Sequence, residues 1–134
     1  MAWIQEISQN EATGQVQEIY DKIAGKRGKL SNIMKVHSLR PDAMAAHFDL
    51  YQTVMFSAST IAREEREAIA VVVSVANGCQ YFTNHHAAAL YHYWKDATRV
   101  QTLINSRQNL EIPKRLGAVL DYAEKLTTTP HAMA

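Results

Sequence analysis

Residues 64–86 read EEREAIAVVVSVANGCQYFTNHH, and their pattern decides the fold. With Arg63 ahead of it, the stretch opens charged, as Arg63-Glu64-Glu65-Arg66-Glu67, and turns apolar over residues 68–76. Residues 70–73 have strand propensity, but no second strand of that quality is present to pair with them. A helix over residues 63–76 is therefore the reading. A helix that is apolar all round has to be covered on every side, so this one is expected at the centre of the fold. Asn77-Gly78 breaks the pattern, and a new helix is expected from about Cys79 to Tyr93.

The flanking segments carry the same period. Val16, Ile19, Tyr20 and Ile23 fall on one helix face, which Gly25 and Gly28 then close. Pro41 suits a first helical turn, and Met44, Phe48, Tyr51 and Met55 form a second stripe after it. Beyond the central pair, Val100, Leu103 and Ile104 mark a shorter helix. A last one starts near Pro113 and carries Leu116, Val119, Leu120, Ala123 and Leu126. The sequence thus predicts an all-α fold, a compact bundle of five or six helices in a single domain over residues 1–134. One local signal is missing. Ala62 stands where an N-cap favours Ser or Thr, although Glu65 holds the capping-box position. The loss should cost about 1 kcal/mol unless Thr60 starts the helix earlier.

Composition narrows the function classes. The 134 residues carry a net charge of +1 and no basic block beyond Lys26-Arg27-Gly28-Lys29, read as a solvated turn, so nucleic acid is not an expected partner. The longest apolar run, residues 68–76, is far short of the roughly 20 residues of a membrane span. The N-terminal MAWIQEISQN does not have the pattern of a signal peptide. A single cysteine rules out an internal disulfide framework, which makes the cytoplasm the expected location. His85, His86 and His92 invite a metal reading. However, His85 and His92 share a face on which no carboxylate or cysteine lies at ligand spacing, and no metal or other cofactor is expected. Tyr91, Tyr93 and Trp94 are read as packing or an oligomer interface.

Chemistry concentrates around the Asn77-Gly78 break. Cys79 falls in the first turn of its helix, where unpaired N–H groups and the positive end of the dipole favour a thiolate. His86 is seven residues on, close to two turns, and so shares a face with Cys79 and with Phe82 between them. Glu67 and Ser74 share a face of the preceding helix. If the break folds the two helices together, Glu67 can reach His86, giving a carboxylate that orients a histidine that in turn serves a thiol. Each piece also has a purely structural reading: Cys79 as a small buried apolar side chain, Glu67 as the surface partner of Arg63, His86 as a core histidine. Spacing alone does not decide between them.

Read as a string, the segment resembles the signature E-x(11)-C-x-x-C-x(3)-H of the alkyl hydroperoxidase D branch of the carboxymuconolactone decarboxylase superfamily. Glu67, Cys79 and His86 match the glutamate, the first cysteine and the histidine, and Asn77-Gly78-Cys79 with Tyr81 resembles the peroxidase-related subgroup. The likeness continues in Met1-Ala2-Trp3-Ile4, Ala12-Thr13-Gly14, Tyr20, Asn32-Ile33-Met34-Lys35-Val36-His37-Ser38-Leu39-Arg40-Pro41, Leu50-Tyr51 and Tyr122-Ala123-Glu124-Lys125-Leu126-Thr127. It implies an all-helical homo-oligomer (dimer, trimer or hexamer) that reduces a small-molecule hydroperoxide with an external thiol reductant. The site would be Cys79, His86 and Glu67, lined by Tyr81, Phe82 and Ser74. Relatives in the subgroup usually continue for several helices beyond residues 127–134, so a shortened member or a truncation is expected.

The departure lies at residue 82, where phenylalanine replaces the second cysteine. Phe82 cannot ionise, attack or form a disulfide, so an intramolecular two-cysteine cycle is chemically impossible. Three readings stay open. Cys79 acts alone through a sulfenic acid, which the helix terminus favours. Alternatively, Glu67 and His86 perform acid–base chemistry of a decarboxylase or isomerase type, or the site is catalytically inert and the chain serves binding or assembly.

Overall fold

The computed structural model describes residues 3–25 and 30–133; Met1, Ala2, Ala134 and the run Lys26-Arg27-Gly28-Lys29 lie outside the described residues. Among those described, all regular structure is helical: α1 (Gly14–Ala24), α2 (Asn32–Lys35), α3 (Pro41–Phe56), α4 (Arg63–Ala76), α5 (Gln80–Trp94), α6 (Ala97–Asn105) and α7 (Lys114–Thr128). Two 3-10 turns, Arg107–Asn109 and Pro130–Ala132, follow α6 and α7. The helix beyond the expected five or six is α2, a four-residue turn too short to show a period. The chain divides into two compact units, Met1–Ala58 and Ser59–Ala134.

In the first unit the α1 stripe faces inward as its spacing predicts. Ile19 and Tyr20 are buried among Ala12, Leu30, Met34 and Met44, with Val16, Ile23 and Phe48 packed around them. Gly25 closes α1 at a φ of +47°, a left-handed conformation that costs glycine little. The Tyr20 hydroxyl donates to the Ile7 carbonyl at 2.7 Å, and the Ile7 N–H donates to Ser38 Oγ at 2.8 Å. These two bonds tie the N-terminal segment at Ile7 to α1 and to the turn before α3. Pro41 occupies the first turn of α3, and Met44 and Met55 of the second stripe are buried. Leu50, Val54 and Phe56 on the same helix are exposed.

In the second unit α4 packs against α5, α6 and α7. Ala68, Val71 and Val72 join Leu90, Val100, Leu103, Leu116 and Leu120 in one core. Within its unit, then, α4 is the central helix. Coverage is incomplete, with Ile69, Ala70 and Val73 half-buried and Val75, in the last turn, 38% exposed. Trp94 packs on this core with the Arg99 guanidinium 4.0 Å over its ring, whereas Tyr91 and Tyr93 are exposed.

The start of α4 resolves the capping question. Ala62 is the N-cap and Thr60 does not extend the helix; the Thr60 carbonyl instead accepts from Arg115 Nη2 at 3.1 Å. Glu65 supplies half of a capping box, accepting the Ala62 N–H at 2.8 Å. That bond, reinforced by Arg115 against the cost of desolvation, holds the Glu65 carboxyl below its ordinary range. The cap's contribution is therefore present at neutral pH and is lost as the pH falls through that lowered value. Alanine cannot supply the reciprocal acceptor for the Glu65 N–H. Ala62→Ser should complete the box and raise stability by about 0.5–1 kcal/mol, read as a higher urea midpoint at unchanged m.

Candidate active site

The Asn77-Gly78 break folds α4 and α5 into a hairpin by a definite mechanism. Gly78 adopts a φ of +64°, which residues with a Cβ reach only at a cost. Its N–H bonds to the Val75 carbonyl at 2.9 Å, and the Cys79 N–H bonds to the Ser74 carbonyl at 2.9 Å. This pair of bonds is a Schellman closure. The Cys79 carbonyl then accepts the Thr83 N–H at 2.9 Å, the first bond of α5. Cys79 thus ends one helix and begins the next. The spacing predicts it inside the first turn of α5; it stands one residue earlier, as N-cap, because its N–H is used to close α4. Its side chain is half-buried and makes no capping hydrogen bond.

Glu67 and His86 lie ten and nine residues to either side of Asn77, so the hairpin sets them opposite one another. His86 Nδ1 is 2.7 Å from Glu67 Oε2. The other carboxylate oxygen, Oε1, takes Arg63 Nη2 at 2.5 Å. Glu67 is 1% exposed, against 13% for the His86 side chain and 21% for that of Arg63. Glu67 thus meets both partners that spacing offered it, one on each oxygen, but the pair with Arg63 is buried and not on the helix surface. A carboxylate paired with Arg63 can only accept from His86, so Nδ1 carries the hydrogen.

Phe82 lies nearly parallel to His86, with ring centroids 5.9 Å apart at 18°. Tyr81 meets Phe82 edge-on at 5.2 Å, and His85 meets His86 edge-on at 5.3 Å. Ser74 is buried at the hairpin, but its hydroxyl donates to the Ala70 carbonyl at 2.6 Å, and it is the Ser74 carbonyl that meets Cys79. No hydrogen bond joins the Cys79 thiol to His86 among the described residues. Seven helical residues rise about 10.5 Å, so a shared face does not amount to contact at that spacing. Residue 82, one turn from His86, does touch it. Sequence reasoning reached Arg63 only as a surface partner. Its i,i+4 spacing from Glu67 was the available signal, and the burial of the pair was not visible in it.

The second unit is thus all-helical, with a thiol at the turn of a helical hairpin and a carboxylate–imidazole hydrogen bond across its two arms. Residues 41–124, more than half of the chain, match the carboxymuconolactone decarboxylase family, and the chain belongs to that family. Two solved structures are similar throughout. One is an uncharacterized peroxidase-related protein from Silicibacter sp. TM1040, 25% identical with a TM-score of 0.81, over 100% of this chain and 73% of that one. The other is from Ralstonia eutropha JMP134, described as an alkylhydroperoxidase AhpD core and an uncharacterized peroxidase-related protein. It is 27% identical with a TM-score of 0.78, over 98% of this chain and 72% of that one. No curated protein matches the chain. The superfamily resemblance read from residues 64–86 holds for the fold and the family.

Proposed function

We propose that this protein reduces organic hydroperoxides by thiol chemistry at Cys79, with His86 moving the proton and Glu67 orienting His86. The observation that carries the reading is the buried Glu67–His86 hydrogen bond across the hairpin whose turn holds Cys79. The peroxidase-related description of both structural neighbours supports it. In the proposed step the Cys79 thiol gives its proton to His86 Nε2 through the bound peroxide and solvent between them. The sulfur attacks the terminal peroxide oxygen, an S–O bond forms and the O–O bond breaks. The departing alkoxide takes the proton from His86, leaving an alcohol and a Cys79 sulfenic acid. With Phe82 in place of a resolving cysteine, recycling falls to an external thiol. A first equivalent releases water and forms a mixed disulfide; a second restores Cys79 and leaves as the oxidised thiol.

A cytoplasmic setting and a homo-oligomer (dimer, trimer or hexamer) belong to the same proposal. The lone cysteine and the exposed Leu50, Val54 and Phe56 support them, and no helix among the described residues is long and apolar enough to cross a membrane. The family match runs from α3 into α7, which supports treating the chain as one functional domain.

A second reading has its own observation. The Glu67–His86 pair is complete without any hydrogen bond to the thiol, as acid–base catalysis on a carboxylic or lactone substrate would need. Alkylation of Cys79 separates the two. Under the thiol reading it abolishes hydroperoxide consumption. An activity that survives alkylation but falls about 10²–10⁴-fold in His86→Gln would transfer the role to the acid–base pair.

A further inference from the structure

Phe82 stands where the two-cysteine pattern has a thiol, and it builds a surface there. Its ring stacks on His86 at 18°, Tyr81 meets it edge-on at 76°, and His85 meets His86 edge-on at 86°. Four rings therefore run along the first two turns of α5, the helix whose N-cap is Cys79. The array is accessible: Tyr81 is 44% exposed and Phe82 is half-buried. Aromatic rings hold planar partners by offset stacking and edge contacts, which a saturated alkyl group of similar bulk cannot reproduce.

We infer that this site selects hydroperoxides carrying an aryl group beside the O–O bond, the aryl ring packing on Tyr81 and Phe82 while the peroxide meets the Cys79 sulfur. The inference rests on the hydroperoxide reading above and adds the substrate class. The chemistry is the step already written, with an aryl-alkyl alcohol as the leaving product and the external thiol as reductant. The substitution that removed the second redox centre thus supplies a specificity surface.

The test compares cumene hydroperoxide with tert-butyl hydroperoxide, which differ by a phenyl in place of a methyl. The wild-type kcat/KM ratio should favour cumene hydroperoxide on the order of tenfold. Phe82→Leu, which keeps apolar bulk without a ring, should bring the ratio close to one, and Tyr81→Leu at an exposed position should lower it. A wild-type ratio near one, or a ratio unchanged in both variants, overturns the inference and leaves the hydroperoxide reading standing. Binding of the product cumyl alcohol, followed by NMR shifts of the Tyr81 and Phe82 rings, needs no turnover. Saturable shifts in a protein that consumes neither peroxide would keep aryl selection and remove the hydroperoxide reading. No shifts would count against aryl selection whatever the turnover.

Discussion

Cys79→Ser should lower organic hydroperoxide consumption by at least on the order of a hundredfold, to the rate of buffer and reductant alone, because a serine hydroxyl is scarcely ionised near neutral pH and a thiolate is the nucleophile the step requires. The fold offers an unusually clean control. Cys79 is the N-cap of α5 and its thiol makes no capping hydrogen bond. Serine is among the preferred N-cap residues and can accept a backbone N–H of the first turn. The variant should therefore be at least as stable as the parent, and more so by up to about 1 kcal/mol if that bond forms. The Schellman closure uses only the backbone of residue 79 and is unaffected. Loss of activity in a protein of equal or higher unfolding midpoint would thus belong to the sulfur. Peroxide consumption at the parental rate in the serine variant would remove the thiol mechanism.

The largest stability effect is expected at Glu67. Its carboxylate is 1% exposed and serves two cationic or proton-bearing partners, Arg63 through Oε1 and His86 through Oε2. Removing one member of a buried ionic group leaves the others desolvated without compensation, a loss of about 3–5 kcal/mol. Glu67→Ala adds to that loss a cavity at a buried position of α4. In a domain whose whole stability is about 5–15 kcal/mol, the expected fall in Tm is on the order of 10–20 °C. Glu67→Gln is the informative companion. It keeps the volume and an oxygen to accept from His86 Nδ1 but abolishes the ion pair with Arg63. It should fall between wild type and Glu67→Ala in calorimetry. Equal Tm values for wild type and Glu67→Ala would mean that the buried pair contributes nothing net.

Much of this was legible in the sequence where a local rule and the tertiary structure agree. The bounds of α4 follow from charged residues giving way to an apolar run that ends at Asn77-Gly78. The turn also sets the Glu67–His86 pairing, since nearly equal distances from a tight break place residues opposite each other. The bounds of α5 missed by one residue at each end, because Cys79 gives its N–H to α4 rather than entering α5. The four-residue α2 carries no period to read. The rescue of the Ala62 cap by an earlier start at Thr60 was not taken, because Glu65 and Arg115 hold the backbone where it is. Periodicity reports shared faces and is silent on axial distance. It groups Cys79, Phe82 and His86 on one face, and of these it is Phe82 on which His86 stacks.

The most direct test of the account is the intact mass of the reduced protein after one equivalent of cumene hydroperoxide in the presence of a sulfenic-acid trap. The account predicts rapid addition of a single trap molecule, mapped to Cys79 and slowed in His86→Gln. An unmodified Cys79 after the peroxide is added would contradict it, leaving Glu67 and His86 to acid–base chemistry or to the fold alone.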